Sequence, residues 1–192
     1  MSAWIKMISD EQADDDLRDA LTLARTPHGT VDNVMRVHSL RPNTMRAHIA
    51  LYRATLHDNS NTLPPWFQET ISTYVSIINQ CHYSLANHWA NARHLIGDAP
   101  RADAIKRALD EGQPEKVFKG AELLLLQYAD KLTRKPGEMD PSDIEDLRDV
   151  GIDDGQILEA NQIIGYFNYV NRCLNGLGVT TNGDTVGFYS DT

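Results

Sequence analysis

Three observations on the sequence predict an all-α fold. Apolar residues recur at three- and four-residue steps from end to end; Pro, Gly, Asp and Asn punctuate those runs where helix ends need them; and no Val/Ile/Thr-rich alternating run bounded by turns is present. Ser9 and Gln12 have capping-box spacing and open a helix carrying Leu17, Ala20, Leu21 and Ala24, which Thr26-Pro27-His28-Gly29 ends. A short turn spans Val31 to Val37. Pro42 suits a first helical position, and Met45, Ile49, Tyr52 and Leu56 follow on one face before the loop Asp58-Asn59-Ser60-Asn61. Pro64-Pro65 begins a helix with apolar groups on more than one face, from Trp66 to Ile78, which predicts a central position. Asn79 is read as the N-cap of a new helix from about Cys81 to Leu95, stopped by Gly97. Further helices are expected at Pro100 to Asp110, Pro114 to Leu132 and Asp140 to Val150. The last runs from Asp153 or Asp154 to Asn175 and is ended by Gly176 and Gly178. The expectation is about eight helices in one domain over 1–192, with 179–192 a polar C-terminal tail that is loosely ordered or wraps a neighbour.

Composition narrows the function. With 192 residues, 41% of them hydrophobic, the chain is long enough to bury a core without disulfides or a structural metal. Its formal net charge of -9 removes the positive field that nucleic-acid and anionic-membrane binding depend on, so neither partner is expected. No apolar run reaches membrane-spanning length, and the acidic N-terminus, with Asp10, Glu11, Asp14, Asp15 and Asp16, does not read as a secretory signal. The expected compartment is the cytoplasm, where Cys81 and Cys173 are free thiols. The seven histidines show no pair at the i, i+4 spacing of helical zinc ligands, and no metal site is expected.

The informative stretch is Glu69, eleven residues, Cys81-His82-Tyr83-Ser84, three residues, His88. On one helix Cys81, Ser84 and His88 share a face, and a break near Asn79 lets Glu69 fold back beside them. A thiol in a first helical turn has its pKa lowered by the macrodipole, while imidazole and carboxylate handle protons. The plainer alternative makes Cys81 a small buried hydrophobe, His88 a hydrogen-bonded core residue and Glu69 a solvated charge. Asn168, Asn171 and Arg172 either line the pocket or cap the last helix.

The spacing resembles the Glu-x11-Cys-x-x-Cys-x3-His signature of the alkylhydroperoxidase D-like (AhpD-like) and carboxymuconolactone decarboxylase superfamily. Thr73 to Tyr83, Asn33 to Pro42 with its His38-Ser39, and Tyr166 to Arg172 with Asn175-Gly176-Leu177-Gly178 look like the peroxidase-related branch. The resemblance implies an AhpD-like helical bundle, homo-oligomers, no cofactor and a thiol antioxidant activity on hydroperoxides. Cys81, Glu69, His88 and Ser84 would be catalytic positions, and Tyr83, Asn168 and Arg172 would contact a small-molecule substrate. One departure matters: Ser84 stands where the family's second, peroxidatic cysteine would be. That forbids a dithiol cycle with a lipoyl or thioredoxin-like reductant at this motif, and leaves open weak peroxide reduction by Cys81, proton-transfer chemistry on a small organic acid with Cys81 a bystander, a binding role, or a redox sensor. Cys173 reads as a core thiol.

Overall fold

The computed structural model describes residues 2–189, and among them the only regular elements are helical. They are α1 (Asp15–Leu23), α2 (Asn33–Arg36), α3 (Pro42–Leu56), α4 (Pro65–Ile78), α5 (His82–Ile96), α6 (Ala99–Asp110), α7 (Gly120–Arg134), α8 (Pro141–Asp149) and α9 (Asp154–Leu177), with three short 3-10 turns, one before α1 and one on each side of α7. Eight correspond to the helices read from the sequence, and the predicted turn at Val31 to Val37 contains the four-residue α2.

α4 is the centre. Every residue from Phe67 to Ser76 is buried, and the helix packs on α5, α7 and α9. Its polar residues survive there because each hydroxyl is satisfied locally: Thr70, Thr73, Ser72 and Ser76 donate to the carbonyls four residues back at 2.7 to 2.8 Å. Around α4 the large apolar cluster includes Phe67, Ile71, Leu125, Leu126, Ile163 and Phe167. A second cluster, with Leu17, Leu21, Met35, Met45 and Ile49, joins α1, α2 and α3.

Three local expectations are corrected. Ser9 makes no side-chain cap and precedes only a 3-10 turn; Ala13 is extended, and α1 starts after Asp14, whose carboxylate accepts the Leu17 N–H at 2.9 Å. The run from Pro114 is broken in two, because Val117 and Lys119 leave helical geometry and Phe118 turns into the core before Gly120, at φ +55, starts α7. Asn79 belongs to the end of α4 rather than the start of α5, and its side chain donates to Asn168 at 3.1 Å.

The corner between α4 and α5 sets the site. The Gln80 N–H bonds Ile77 O at 3.0 Å and the Cys81 N–H bonds Ser76 O at 2.9 Å, the paired bonds of a Schellman motif, with Gln80 left-handed at φ 52. Cys81 thus closes α4 and is at once the N-cap residue of α5.

The segment after α9 is fastened down as far as it is described; residues 190–192 of the predicted tail lie outside the described residues. Asn33 donates its amide to Thr180 O and Asn182 O, Asp184 accepts from the Asn33 N–H and from the Tyr83 hydroxyl at 2.6 Å, and the N–H groups of Gly187 and Phe188 bond Asn87 and Asn91. Among the described residues no helix is long and apolar enough to cross a membrane.

Candidate functional site

A cavity of about 470 Å³ opens at the seam between the two apolar clusters, within the range of small-molecule sites. Ala24, Met35 and Ile49 face it from one side, and Tyr83, Tyr166 and Val170 from the other. α5 contributes a stripe at helical spacing, Tyr83, Ser84, Asn87, His88 and Asn91. Gly187 and Phe188 of the C-terminal segment complete the wall.

Behind that stripe lies Glu69, buried on α4 at 3% exposure. Its Oε2 is 2.6 Å from His88 Nδ1, and its Oε1 accepts from Asn91 Nδ2 at 3.0 Å. The carboxylate therefore takes the Nδ1 hydrogen and leaves His88 Nε2 as the working nitrogen. His88 is further held edge-on to Phe167, ring centroids 4.5 Å apart. The predicted convergence of Glu69 and His88 is present, and the plainer alternative of a solvated Glu69 is not.

Cys81 stands differently. It is fully buried and is not among the residues on the cavity wall. Its thiol donates to Ser84 Oγ at 3.6 Å, and its burial pushes it above the ordinary thiol value, with the hydroxyl and the amides of Ser84 and Tyr83 pulling the other way. The expected lowering by the helix end is thus reversed: at the N-cap the sulfur has the amides near it, but desolvation is the larger effect. Cys173 is a free thiol beside the Tyr169 hydroxyl on α9.

The other sequence candidates divide. Ser84 faces the cavity. Tyr83 offers its ring to it, while its hydroxyl is committed to Asp184 and to the Val34 N–H. Asn168 and Arg172 do not reach the cavity; Asn168 sits about 200° round α9 from Tyr166, where it bonds Asn79 and Thr133 and receives the Arg172 guanidinium. Asn171 is buried against Ser76. These residues tie α9 to the end of α4.

Sequence reasoning missed Asn91, Asn87, Tyr166, His57 and Asp32. Asn91 had a usable signal, one turn beyond His88 on the same face. His57 is flanked by Tyr52 and Phe188, each with ring centroids 4.8 Å away, and its burial lowers its pKa. Asp32 has a buried Oδ1 with no partner, and its pKa is raised to about 6 by burial and then by the charge of Asp184, against the pull of His28. A carboxyl whose folded pKa lies above its unfolded value favours folding most when protonated, and that advantage is lost as pH rises through 6. Asp32→Asn is therefore expected to be more stable than wild type by about 1–2 kcal/mol at about pH 7.5, after allowance for screening of this half-buried group, and to lose that advantage near pH 4. Urea unfolding at the two pH values measures it; an equal difference at both would remove Asp32 as the cause.

Among the described residues no group of three or more His, Cys, Asp or Glu side chains has the arrangement to hold a metal ion. No protein-family model matches the sequence, and no curated protein matches it. Solved structures do. An AhpD-core, uncharacterized peroxidase-related protein from Ralstonia eutropha JMP134 superposes with a TM-score of 0.79 at 24% identity, over 95% of this chain and 94% of that one. A peroxidase-related protein from Silicibacter sp. TM1040 gives 0.80 at 24% identity over 95% of both chains. The debrominase Bmp8, as a cysteine-to-alanine variant in complex with 2,3,4-tribromopyrrole, gives 0.75 at 16% identity over 95% and 94%. Superposing on these structures over nearly the whole of each chain, and helical in every regular element among the described residues, this protein has the AhpD-like helical fold.

Proposed function

We propose that this chain is an AhpD-like, peroxidase-related protein in which the cavity performs acid–base chemistry on a small, largely apolar molecule, with His88 as the proton-transfer group. The observation that carries the reading is the 2.6 Å Glu69–His88 pair beside a cavity that the motif's thiol does not line. His88 Nε2 takes a proton from carbon or oxygen of the substrate, and Glu69 stabilises the imidazolium that forms. Ser84 supplies a donor: its oxygen already accepts the Cys81 thiol hydrogen, so its own hydrogen is free for a carbonyl or developing oxyanion. A substrate acidified by a carbonyl suits that pair. Bmp8, crystallised with a halogenated pyrrole, shares the fold and supports an aromatic-sized ligand.

Thiol antioxidant activity is the competing reading, favoured by the names of the structural neighbours. It requires Cys81 to leave its buried place, because the family's dithiol cycle has no second sulfur at Ser84. Free cysteines fit a cytoplasmic location, and Leu51 of α3 with Leu158 and Tyr169 of α9, 41%, 60% and 46% exposed, are surfaces for a homo-oligomer.

The test uses two probes. A nitrobenzisoxazole, whose ring opens on loss of one proton, is expected to react faster than in buffer, with roughly 10²–10⁴-fold of that rate lost in His88→Ala and little lost in Cys81→Ala. Consumption of tert-butyl hydroperoxide with dithiothreitol is expected at background. Peroxide turnover that disappears in Cys81→Ala, or proton abstraction indifferent to His88, would replace the acid–base reading with the antioxidant one.

A further inference from the structure

Tyr166 lines the cavity from α9, and its hydroxyl ends a chain of hydrogen bonds that starts in the first turn of α3. The chain runs from Thr44 through His38 and His48 to Tyr166. Thr44 and His48 lie four residues apart on α3, one above the other, and His38 packs edge-on to His48 from the loop before α3, ring centroids 5.0 Å apart. His38 comes from the His-Ser stretch that the sequence brought forward and that the Glu69–His88 chemistry leaves without a role.

The direction of every bond in this chain follows from its first member. The Thr44 hydroxyl donates to Arg41 O at 2.8 Å, so its single hydrogen is spent. Its 2.8 Å contact with His38 Nδ1 must then be an Nδ1–H donating to the hydroxyl oxygen. A neutral imidazole carries one N–H, which leaves His38 Nε2 as a bare acceptor. The 3.0 Å contact between His38 Nε2 and His48 Nδ1 is therefore made by the His48 Nδ1–H. His48 Nε2 is bare in turn, and the 2.8 Å bond to Tyr166 is the phenol donating to it.

Neutrality of both rings is what the surroundings favour. Burial lowers the pKa of His38, and burial together with the neighbouring His38 lowers that of His48 to about 4. Around the relay, Tyr169 stands 6.1 Å from the His48 ring, Cys173 adjoins Tyr166 and Tyr169, and the Arg41 guanidinium is turned to Leu40 O; the Glu69 carboxylate acts on the Tyr166 end, where burial first and then Tyr169, Cys173 and Glu69 keep the phenol protonated.

We propose that this relay fixes Tyr166 as a hydrogen-bond acceptor on the cavity wall, so that the cavity selects a small, apolar-bodied ligand carrying a hydroxyl or N–H donor. The only hydrogen of the phenol is committed to His48, so toward a ligand in the cavity that Tyr166 lines, its oxygen can only accept. Tyr166 is then a positioning and specificity residue, complementary to Ser84, which offers a hydrogen. Together they orient a molecule with an acceptor at one end and a donor at another. The inference rests on the cavity being a ligand site, and not on which chemistry His88 performs there.

Two measurements test it. In the ¹⁵N spectrum of imidazole-labelled protein at neutral pH, both His38 and His48 are expected as Nδ1–H tautomers, the less common form of free imidazole side chains. His48 seen as the Nε2–H form overturns the proposal. In binding titrations, phenol is expected to bind wild type about tenfold tighter than anisole, which has the same ring and no donor. Tyr166→Phe, folded by circular dichroism, is expected to bind the two alike. Equal affinities in wild type, no binding of either probe, or a preference that survives in Tyr166→Phe would each overturn it. If the acid–base reading fails instead, nitrobenzisoxazole turnover is at background while the tautomers and the phenol preference are intact.

Discussion

Ser84→Cys is expected to turn a protein with background peroxidase activity into a dithiol-dependent peroxidase, roughly tenfold or more above wild type. Position 84 faces the cavity beside His88, and its Oγ is 3.6 Å from the Cys81 sulfur. A thiolate at 84 attacks the terminal peroxide oxygen, the O–O bond breaks, and His88 protonates the departing alkoxide. The sulfenic acid at 84 then condenses with the Cys81 thiol, releasing water and leaving a disulfide that dithiothreitol reduces. Closing from 3.6 Å to the ~2 Å of an S–S bond needs a movement on the order of 1.5 Å, within reach of two side-chain rotations. Hydroperoxide consumption with dithiothreitol, and mass spectrometry of the oxidised variant, measure the two steps. A folded variant with a reactive thiol at 84, a disulfide to Cys81 and no turnover would mean that the cavity excludes peroxide.

Much of this geometry was legible beforehand, for a definable reason. Glu69, Ser84 and His88 announce themselves because helical spacing is a rigid ruler, and a break between two helices leaves few ways for one carboxylate to meet one imidazole. The environment of Cys81 was not legible. Whether a thiol at a helix start is activated or silenced depends on how much protein covers it, and cover comes from elements distant in sequence. Asp32, His57 and Tyr166 were hidden for the same reason: the wall they form is assembled from α2, α3, α9 and the C-terminal segment, and no local pattern records that meeting. Asn168 and Arg172 misled because a polar helix face near a motif reads equally as site or as strut, and here the strut to Asn79 takes both.

Glu69→Ala is expected to cost about 2–4 kcal/mol of stability, because it strips partners from His88 Nδ1 and Asn91 Nδ2 at the centre of the fold and opens a void on α4. For a chain of this size that is a fall in Tm on the order of 4–16 °C. The loss is expected to reach the C-terminal segment, since the same Asn91 amide that donates to Glu69 holds the Phe188 N–H through its oxygen at 2.6 Å. Limited proteolysis after α9 should therefore accelerate in Glu69→Ala more than cleavage elsewhere. Glu69→Gln keeps an acceptor and the volume, and less than half the destabilisation is expected. Equal Tm values for wild type and Glu69→Ala would show that water entering from the cavity replaces the carboxylate at no net cost.

The corner at Gln80 makes the motif a matter of phase as much as of residue type. α4 and α5 are locked to each other by two backbone bonds and one left-handed residue, so the number of residues between Glu69 and His88 sets the angle at which they meet. One residue inserted into α4 after Glu69 would turn that carboxylate by about 100° and shift it by about 1.5 Å along the axis, out of register with the imidazole. A change of side chain at 81 or 84 moves nothing in that frame. The helices act as a fixed mount, and the reagent it carries, sulfur or oxygen, is interchangeable at the end of one side chain.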